Sequence, residues 1–347
     1  MMTTIKAAIV GASGYTGAEL VRLLINHPNV EISAMTADRK AGMRMADVFP
    51  HLGGLDLPDL VKMDDVDWSG IDVCFCCLPH GTTQAFIASL PENVRIVDLS
   101  ADFRLKDIEE YAKWYGDEHR APELQKEAVY GLTELKRDEI AKARLVANPG
   151  CYPTSAQLPL IPLVQKGLIS TNGIIIDSKS GVTGAGRAPK EGTLFCEVSD
   201  AIHAYGVGTH RHGPEIEQGL SEACGEPVTV SFTPHLMPMN RGILSTIYVT
   251  LDNGASVEDL RVALNDTYAN DPFVRVVEEG QSPATRHVRG SNYCLIGVFA
   301  DRAEGRAILV CVEDNVVKGA SGQAVQNMNV MFGFDETAGL TQQPMFP

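Results

Sequence analysis

No stretch of this chain approaches the ~18 consecutive apolar residues of a membrane-spanning helix, so the sequence reads as having no membrane span. The opening run from Met1 to Val10 is short, stops at Gly11 and lacks the layout of a secretory leader. Basic charge is scarce: 29 Lys and Arg against 44 Asp and Glu leave a net charge of −15. That balance argues against a nucleic-acid or anionic-membrane surface. It still allows a small anion met by a local cluster of cations. There is no internal repeat and no low-complexity tract. A disulfide framework is also missing. Cys74, Cys76, Cys77, Cys151, Cys196, Cys224, Cys294 and Cys311 are scattered, mostly in apolar runs, and read as reduced thiols of the cytoplasm.

What is present is enough chain for two cores, since 347 residues exceed the ~250–300 at which single cores stop growing. The first third alternates strand and helix patterns. "IKAAIVGASG" is a buried strand running into a glycine loop, and "TGAELVRLLINHP" has Leu20, Leu23 and Leu24 on one helical face. "VEISAMT", "DVCFCCLP", "VRIVDLS" and "ARLVANP" supply further strands, with "TTQAFIASL" as a helix between two of them. This implies βαβ units and a parallel sheet. From about residue 150 a helix (about 152–166) leads into long strands, in "PVTVSFTPHLMPMNRGILSTIYVTL", and a hairpin pair, "YCLIGVFAD" with "RAILVCVED". The expected fold is α/β: a Rossmann-type parallel-sheet domain over 1–149, joined by a returning segment 315–347, plus an α+β domain over 150–314 with a mostly antiparallel sheet.

Gly11, Gly14 and Gly17 in "GASGYTG" stand between a strand and a helix. Glycines there permit a tight turn, close approach to a pyrophosphate and close helix–strand packing, and the helix N-terminus then holds the anion. The spacing is G-x-x-G-x-x-G, so a tight turn without a ligand is the competing reading. The second strand ends near Thr36 rather than at an acid, with Arg39 and Lys40 just beyond; this suits a 2′-phosphate and hence NADP, against which Asp38 dissents.

In "ANPGCYPTS", Pro149 keeps Asn148 out of the helical region, Gly150 permits a strained turn and Pro153 suits a first helical turn. Cys151 is therefore expected at a helix N-terminus, where the dipole favours a thiolate. Pro159 and Pro162 predict that this helix is short or kinked. A nucleophilic thiolate calls for a base, and "GTHRHGPEIEQGL" offers His210 for acid/base work, with His212 read as a helix cap. The two histidines have no third ligand at metal-binding spacing, so no metal is expected. "CFCC" lies inside a strand, with Cys74 and Cys76 on one face as small hydrophobes.

"GASGYTGAEL", "LPHG", "DLSADFRL", "NPGCYPT", "SGVTGAGR" and "THRHGPEI" together resemble the N-acetyl-γ-glutamyl-phosphate reductase family over essentially the whole chain. Aspartate-semialdehyde dehydrogenase is a broader relative. The resemblance implies an NADPH-dependent reductive dephosphorylation in arginine biosynthesis. Cys151 attacks the acyl phosphate, a thioester is reduced, and His210 shuttles the proton. It implies a cofactor site from Gly11, Ser13, Gly14, Tyr15, Thr16, Gly17, Thr36, Arg39 and Lys40. Pro79, His80, Gly81, Ser100, Gly181 and Asn315 are implied around the nicotinamide. Arg104, Asn148, Arg187, Lys190 and Arg211 are the candidates for holding the substrate, with Arg241 as a further cation. A small-molecule substrate and a homo-oligomer, tetramer or dimer, are also implied. A sister acyl-phosphate reductase and a catalytically idle NADP-binding sensor are the alternatives.

Overall fold

The computed structural model describes residues 4–346, so the first three residues of the opening run lie outside the described residues. Two compact units divide the chain: residues up to Pro149 with Ala320–Thr341, and Gly150–Gly319 with Gln342–Pro347.

The first unit is built on β1 (Ile5–Val10), β2 (Val30–Thr36), β3 (Leu60–Val61), β4 (Val73–Cys76), β5 (Arg95–Asp98), β6 (Val129–Tyr130) and β7 (Leu145–Ala147). They form one sheet in the order β3-β2-β1-β4-β5-β7-β6. Every pairing is parallel. A parallel sheet is covered on both faces, which is why β1 and β4 read as near-continuous apolar runs. The Sγ atoms of Cys74 and Cys76 lie 3.7 Å apart on one face of β4, packed with Val10, Ile96 and Leu145. The two-residue edge strands β3 and β6 are too short to show in the sequence pattern. Strand order reverses between β1 and β4, and their C-terminal ends flank the crevice where open α/β sheets take ligands. Helix α1 (Tyr15–Leu24) follows β1, α2 (Thr83–Ser89) follows β4 and α3 (Ile108–Tyr115) follows β5.

The second unit carries α4 (Cys151–Gln165), then β8 (Ile175–Gly181), β9 (His203–Ala204), α5 (His212–Cys224), β10 (Ser231–Met237), β11 (Ile243–Thr250), α6 (Val257–Tyr268), β12 (Val274–Val276), β13 (Cys294–Ala300) and β14 (Arg306–Glu313). Its sheet runs β12-β13-β14-β11-β8-β10-β9. The β13–β14, β14–β11, β11–β8 and β10–β9 pairs are antiparallel, and β12–β13 and β8–β10 are parallel. The sheet is thus mixed and mostly antiparallel.

Two expectations need correction. Helix α4 runs 15 residues through Pro159 and Pro162 and is not short. Pro162 cannot bond the Leu158 carbonyl four residues back, and the Tyr268 hydroxyl of α6 donates to that carbonyl instead, at 2.5 Å. The returning segment also differs in extent from 315–347. Residues 315–319 and 342–347 group with the second unit. The Asn315 side chain there bonds Gly242 and Thr183, and the Met345 amide donates to the Arg289 carbonyl. Helix α7 (Gly322–Phe332) belongs to the first unit, with Ala324, Val325 and Met328 fully buried.

Candidate functional site

In the first unit the glycine loop is fixed by contacts that admit no side chain. Gly11 has φ +84°, and a Cβ there would stand 2.6 Å from the Cys77 carbonyl oxygen. A Cβ on Gly17 would stand 2.5 Å from Ala12 Cα. Gly14 is the extended N-cap of α1, which has no side-chain cap and no acid in its first turn. Amides at the start of an uncapped helix are the donors that phosphate seeks. Ser13, Tyr15 and Thr16 lie on this turn, and Ser321 Oγ holds the Thr16 carbonyl at 2.9 Å. Thr36 is buried and its Oγ1 accepts from the Gly11 amide at 3.2 Å, so the end of β2 is tied into the loop. Asp38, Arg39 and Lys40 are exposed beyond it. The residues fit a dinucleotide: a cradle that a Cβ would fill, and an uncapped helix start.

The loop after β4 is held by an acid that sequence reading passed over. Asp102, fully buried, accepts from the Gly81 amide at 2.6 Å, the Thr83 amide at 3.0 Å and the Tyr111 hydroxyl at 3.0 Å. The Ala101 amide donates to His80 Nδ1, while Pro79 and His80 remain exposed. Ser100 is buried, its hydroxyl donating to Asp98 at 2.7 Å and meeting Thr83 Oγ1 at 2.9 Å. Burial pushes the Asp98 carboxyl up to about 6, with the Asp102 charge adding to the rise. Arg104 is buried and donates to the carbonyls of Asn148 and Leu99. The Asn148 amide donates to the Ala320 carbonyl and accepts from Asn327. Ser100, Arg104 and Asn148 thus hold the strand-end loops of this unit together.

In the second unit Cys151 is the first residue of α4, half-buried, with Gly150 as its extended N-cap. Buried Glu215 of α5 accepts from the Gly150 amide at 2.7 Å. Gly219 brings α5 against α4: a Cβ there would meet Gln157 Nε2 at 2.5 Å, and Gln157 donates to the Glu215 carbonyl. Gly319, in the π-turn Val317–Ser321, is wedged against the nucleophile candidate. A Cβ at 319 would lie 2.7 Å from both Cys151 Cβ and a Glu313 carboxylate oxygen.

Tyr152 and Tyr205 meet through their hydroxyls at 2.9 Å. Burial chiefly raises both phenols, Tyr205 to about 12, and the neighbouring Cys151 charge adds to each. His210 packs among these rings, 5.7 Å from Tyr152 and 5.5 Å from Tyr205. Burial, with the Arg211 charge second, lowers its pKa to about 4. Neither histidine caps α5: its N-cap is Arg211, without a side-chain cap bond, and His212 is the first helical residue, its amide donating to His210 Nδ1 at 3.1 Å. By contrast, burial pushes the Cys77 thiol up to about 12 and raises Cys311, whose Sγ is 3.3 Å from that of Cys294. A half-exposed thiol at a helix start, beside polar groups, can act as a nucleophile; buried thiols of this kind stay protonated.

The other candidates scatter. Gly181 ends β8 with no room for a Cβ, which would stand 2.7 Å from the Asn240 carbonyl. Asn315 is buried, accepting from the Gly242 amide and donating to Thr183 Oγ1. Arg241 pairs with buried Asp314 at 3.6 Å. Arg187, Lys190 and Arg211 are exposed. Sequence reading missed Asp102, Tyr205, Glu215 and Gly319. The D-x-S-x-D alternation at 98–102 and the acid three residues after His212 were the available signals. Among the described residues no group of three or more His, Cys, Asp or Glu could hold a metal ion, and no helix is long and apolar enough to cross a membrane.

Residues 6–143 match the family model described as semialdehyde dehydrogenase, NAD binding domain, and residues 151–315 that described as semialdehyde dehydrogenase, dimerisation domain. An N-acetyl-gamma-glutamyl-phosphate reductase of Rhodospirillum rubrum is 67% identical, with 100% of each chain covered. A probable chloroplastic N-acetyl-gamma-glutamyl-phosphate reductase of Oryza sativa subsp. japonica is 60% identical over 99% of this chain and 83% of its own. Among solved structures, aspartate semialdehyde dehydrogenase II of Vibrio cholerae shares the fold, with TM-score 0.73 at 16% identity over 95% of this chain and 99% of its own.

Proposed function

The chain belongs to the N-acetyl-gamma-glutamyl-phosphate reductase family of semialdehyde dehydrogenases, and on that footing we propose that it reduces N-acetylglutamyl 5-phosphate to N-acetylglutamate 5-semialdehyde with release of phosphate, as a step of arginine biosynthesis. The observation that carries the reading is the placement of Cys151 as the half-exposed first residue of α4. Its sulfur attacks the acyl carbon and displaces phosphate. The resulting thioester splits one hard reduction into two easier steps. NADPH, when bound, supplies the hydride. The Gly11–Gly17 loop and the start of α1 take the pyrophosphate, with Pro79, His80 and Gly81 after β4 toward the nicotinamide. Preference for NADP over NAD rests on Thr36 in place of an acid at the end of β2, with Arg39 and Lys40 exposed beyond it. Arg104, Asn148, Arg187, Lys190 and Arg211 remain the candidates for the substrate's phosphate and carboxylate. The segment around α7 completes the nucleotide-binding domain, and the second unit carries the chemistry and the contacts of a homo-oligomer. Eight free cysteines suit a reducing cytoplasm.

The test is turnover by the purified protein on acetylglutamyl phosphate against aspartyl phosphate, with NADPH and with NADH. Clear preference for the first substrate and for NADPH is expected. Cys151→Ser should lose at least ~10³-fold in kcat, as removal of a covalent nucleophile does. Equal turnover of aspartyl phosphate points to the sister reductase, and tight NADPH binding without turnover points to the sensor.

A further inference from the structure

We propose that Asp314 is a positioning residue for Cys151: its buried carboxylate shapes the turn that sets the backbone of Gly319 against the Cys151 methylene, and so limits where the sulfur can point. The inference rests on the thioester reading above, and every residue it uses lies in the second unit.

Asp314 follows β14 and is fully buried. An ionised carboxylate in such a place is costly unless its lone pairs are met. Here each oxygen has its own partners. Oδ1 accepts from the amides of Val316 at 2.9 Å and Val317 at 3.2 Å. Oδ2 accepts from the Gly290 amide at 2.7 Å and faces Arg241 Nη1 at 3.6 Å. The backbone grips the same turn. The Asp314 carbonyl accepts from the Val317 amide at 3.1 Å and from the Gly319 amide, five residues on, at 3.0 Å.

The two carboxylate oxygens divide the task. Oδ2 ties Asp314 to segments remote in sequence, since Gly290 precedes β13 and Arg241 precedes β11. Beside it the Asn315 side chain takes the Gly242 amide and donates to Thr183. These contacts fix where the turn begins. Oδ1, with the carbonyl, fixes how it continues toward Gly319.

At its far end the turn meets the nucleophile. A Cβ on Gly319 would stand 2.7 Å from Cys151 Cβ, 2.7 Å from a Glu313 carboxylate oxygen and 3.2 Å from Cys151 Cα. Sγ is not among these three nearest atoms, so the sulfur points away from the turn. Backbone against one side of Cβ closes the staggered positions of Sγ on that side. A thiolate must approach an acyl carbon to ~3–3.5 Å with its orbital aligned, and a misplacement of about 1 Å can lose ~10²-fold in rate. The glycine gives the close fit, and Asp314 holds the glycine there.

Aim and mere bracing of the fold forecast different results. Asp314→Ala frees the turn. Asp314→Asn keeps one acceptor oxygen, enough for the turn or for Gly290 but not for both. Val274→Ala, on the edge strand β12, is the control that destabilises the same unit without touching the turn. All are assayed below their melting temperatures. We expect kcat to fall by ~10²-fold in the Ala variant and roughly 10-fold in the Asn variant, with KM for NADPH within about 2-fold of wild type. Iodoacetamide is small and accepts the sulfur in any orientation, so alkylation read on the Cys151 peptide should stay within about 3-fold of wild type. A thiol that still reacts but no longer turns over substrate has lost its aim. The proposal is overturned if kcat in both variants stays within about 3-fold of wild type, if alkylation falls in parallel with kcat, or if Val274→Ala at matched stability loses as much kcat. Should Asp314→Ala not fold, the Asn variant decides on the same measurements. Retained turnover in Cys151→Ser overturns the thioester reading itself, whatever the Asp314 variants do.

Discussion

Two helix N-termini in this chain set the same dipole in different surroundings. That of α1 is open: Gly14 caps it without a side chain and no acid sits in its first turn, so its amides await a ligand. That of α4 is closed in: it too lacks a side-chain cap and an acid in its first turn, but the Glu215 carboxylate takes the Gly150 amide just before it, Thr154 Oγ1 returns to the Gly150 carbonyl, and its first residue is Cys151, the proposed nucleophile. Under the proposed function, the first helix start takes a charge from solution and the second supports one built into the chain. The difference lies in what surrounds the first turn. Glycines that touch backbone leave α1 bare, whereas side chains from α5 and the Val317–Ser321 turn crowd α4.

Breaking the closed end should cost most. Gly319→Ala sets a methyl 2.7 Å from Cys151 Cβ. A nucleophile displaced by about 1 Å typically loses ~10²-fold, so kcat should fall by about that much with the KM for NADPH unchanged. Steady-state kinetics decides; a near-normal kcat shows that the turn can yield. The open end should respond in the other parameter. Gly17→Ala must part α1 from Ala12, because the contact at 2.5 Å is to backbone. We expect KM for NADPH to rise on the order of 10-fold, at a stability cost of ~1–3 kcal/mol, read by titration and thermal melting. If instead kcat alone falls, the loop does not serve the pyrophosphate. Glu215→Ala leaves the buried Gly150 amide without its acceptor, a loss of ~1–3 kcal/mol. Glu215→Gln, which keeps an acceptor oxygen, should recover most of it in a denaturant melt.

A further effect is in pH. A histidine whose folded pKa lies below its ordinary value binds its proton less readily when folded. Its contribution to stability is therefore complete above about pH 6.5 and is lost as the pH falls toward about 4. His210→Gln should flatten that acid limb by on the order of 3 kcal/mol. Asp98, pushed up to about 6 by burial, acts in the opposite sense: it stabilises the fold as the pH falls from about 6 toward 3.8. Asp98→Asn should therefore steepen the acid limb while His210→Gln flattens it, and equal slopes in the two variants would contradict this division.

How much of this was legible in the sequence follows from the range of the interactions. β1, the glycine loop and α1 were readable because strand, turn and helix signals lie within about 20 residues of each other. Cys151 at a helix start was readable from Pro149, Gly150 and Pro153 alone. Glu215 could not be assigned its place, because the amide it holds is 65 positions away. Nor could α4 be seen to survive two prolines, because the hydroxyl that takes the Leu158 carbonyl comes 110 positions later. Asp102 was hidden for another reason. In "DLSADFRL" the exposed-looking acids and serine turn inward on one another, and only the Thr83 and Tyr111 hydroxyls, from α2 and α3, reveal the cluster. His212, read as a helix cap, is instead the first helical residue after Arg211, since which of several near neighbours caps a helix depends on where its first turn begins.

Helix α7 has a consequence for synthesis of the chain. It is buried in the first unit, where Asn327 bonds Gly131 and Thr133, yet it is made only after the 170 residues of Gly150–Gly319. At ribosomal speeds of ~5–20 residues/s that delay is roughly 10–35 s. For that interval the nascent parallel sheet lacks one of its covering layers and keeps apolar surface open to water. The nucleotide-binding unit therefore closes late, although its first strand is the first to emerge.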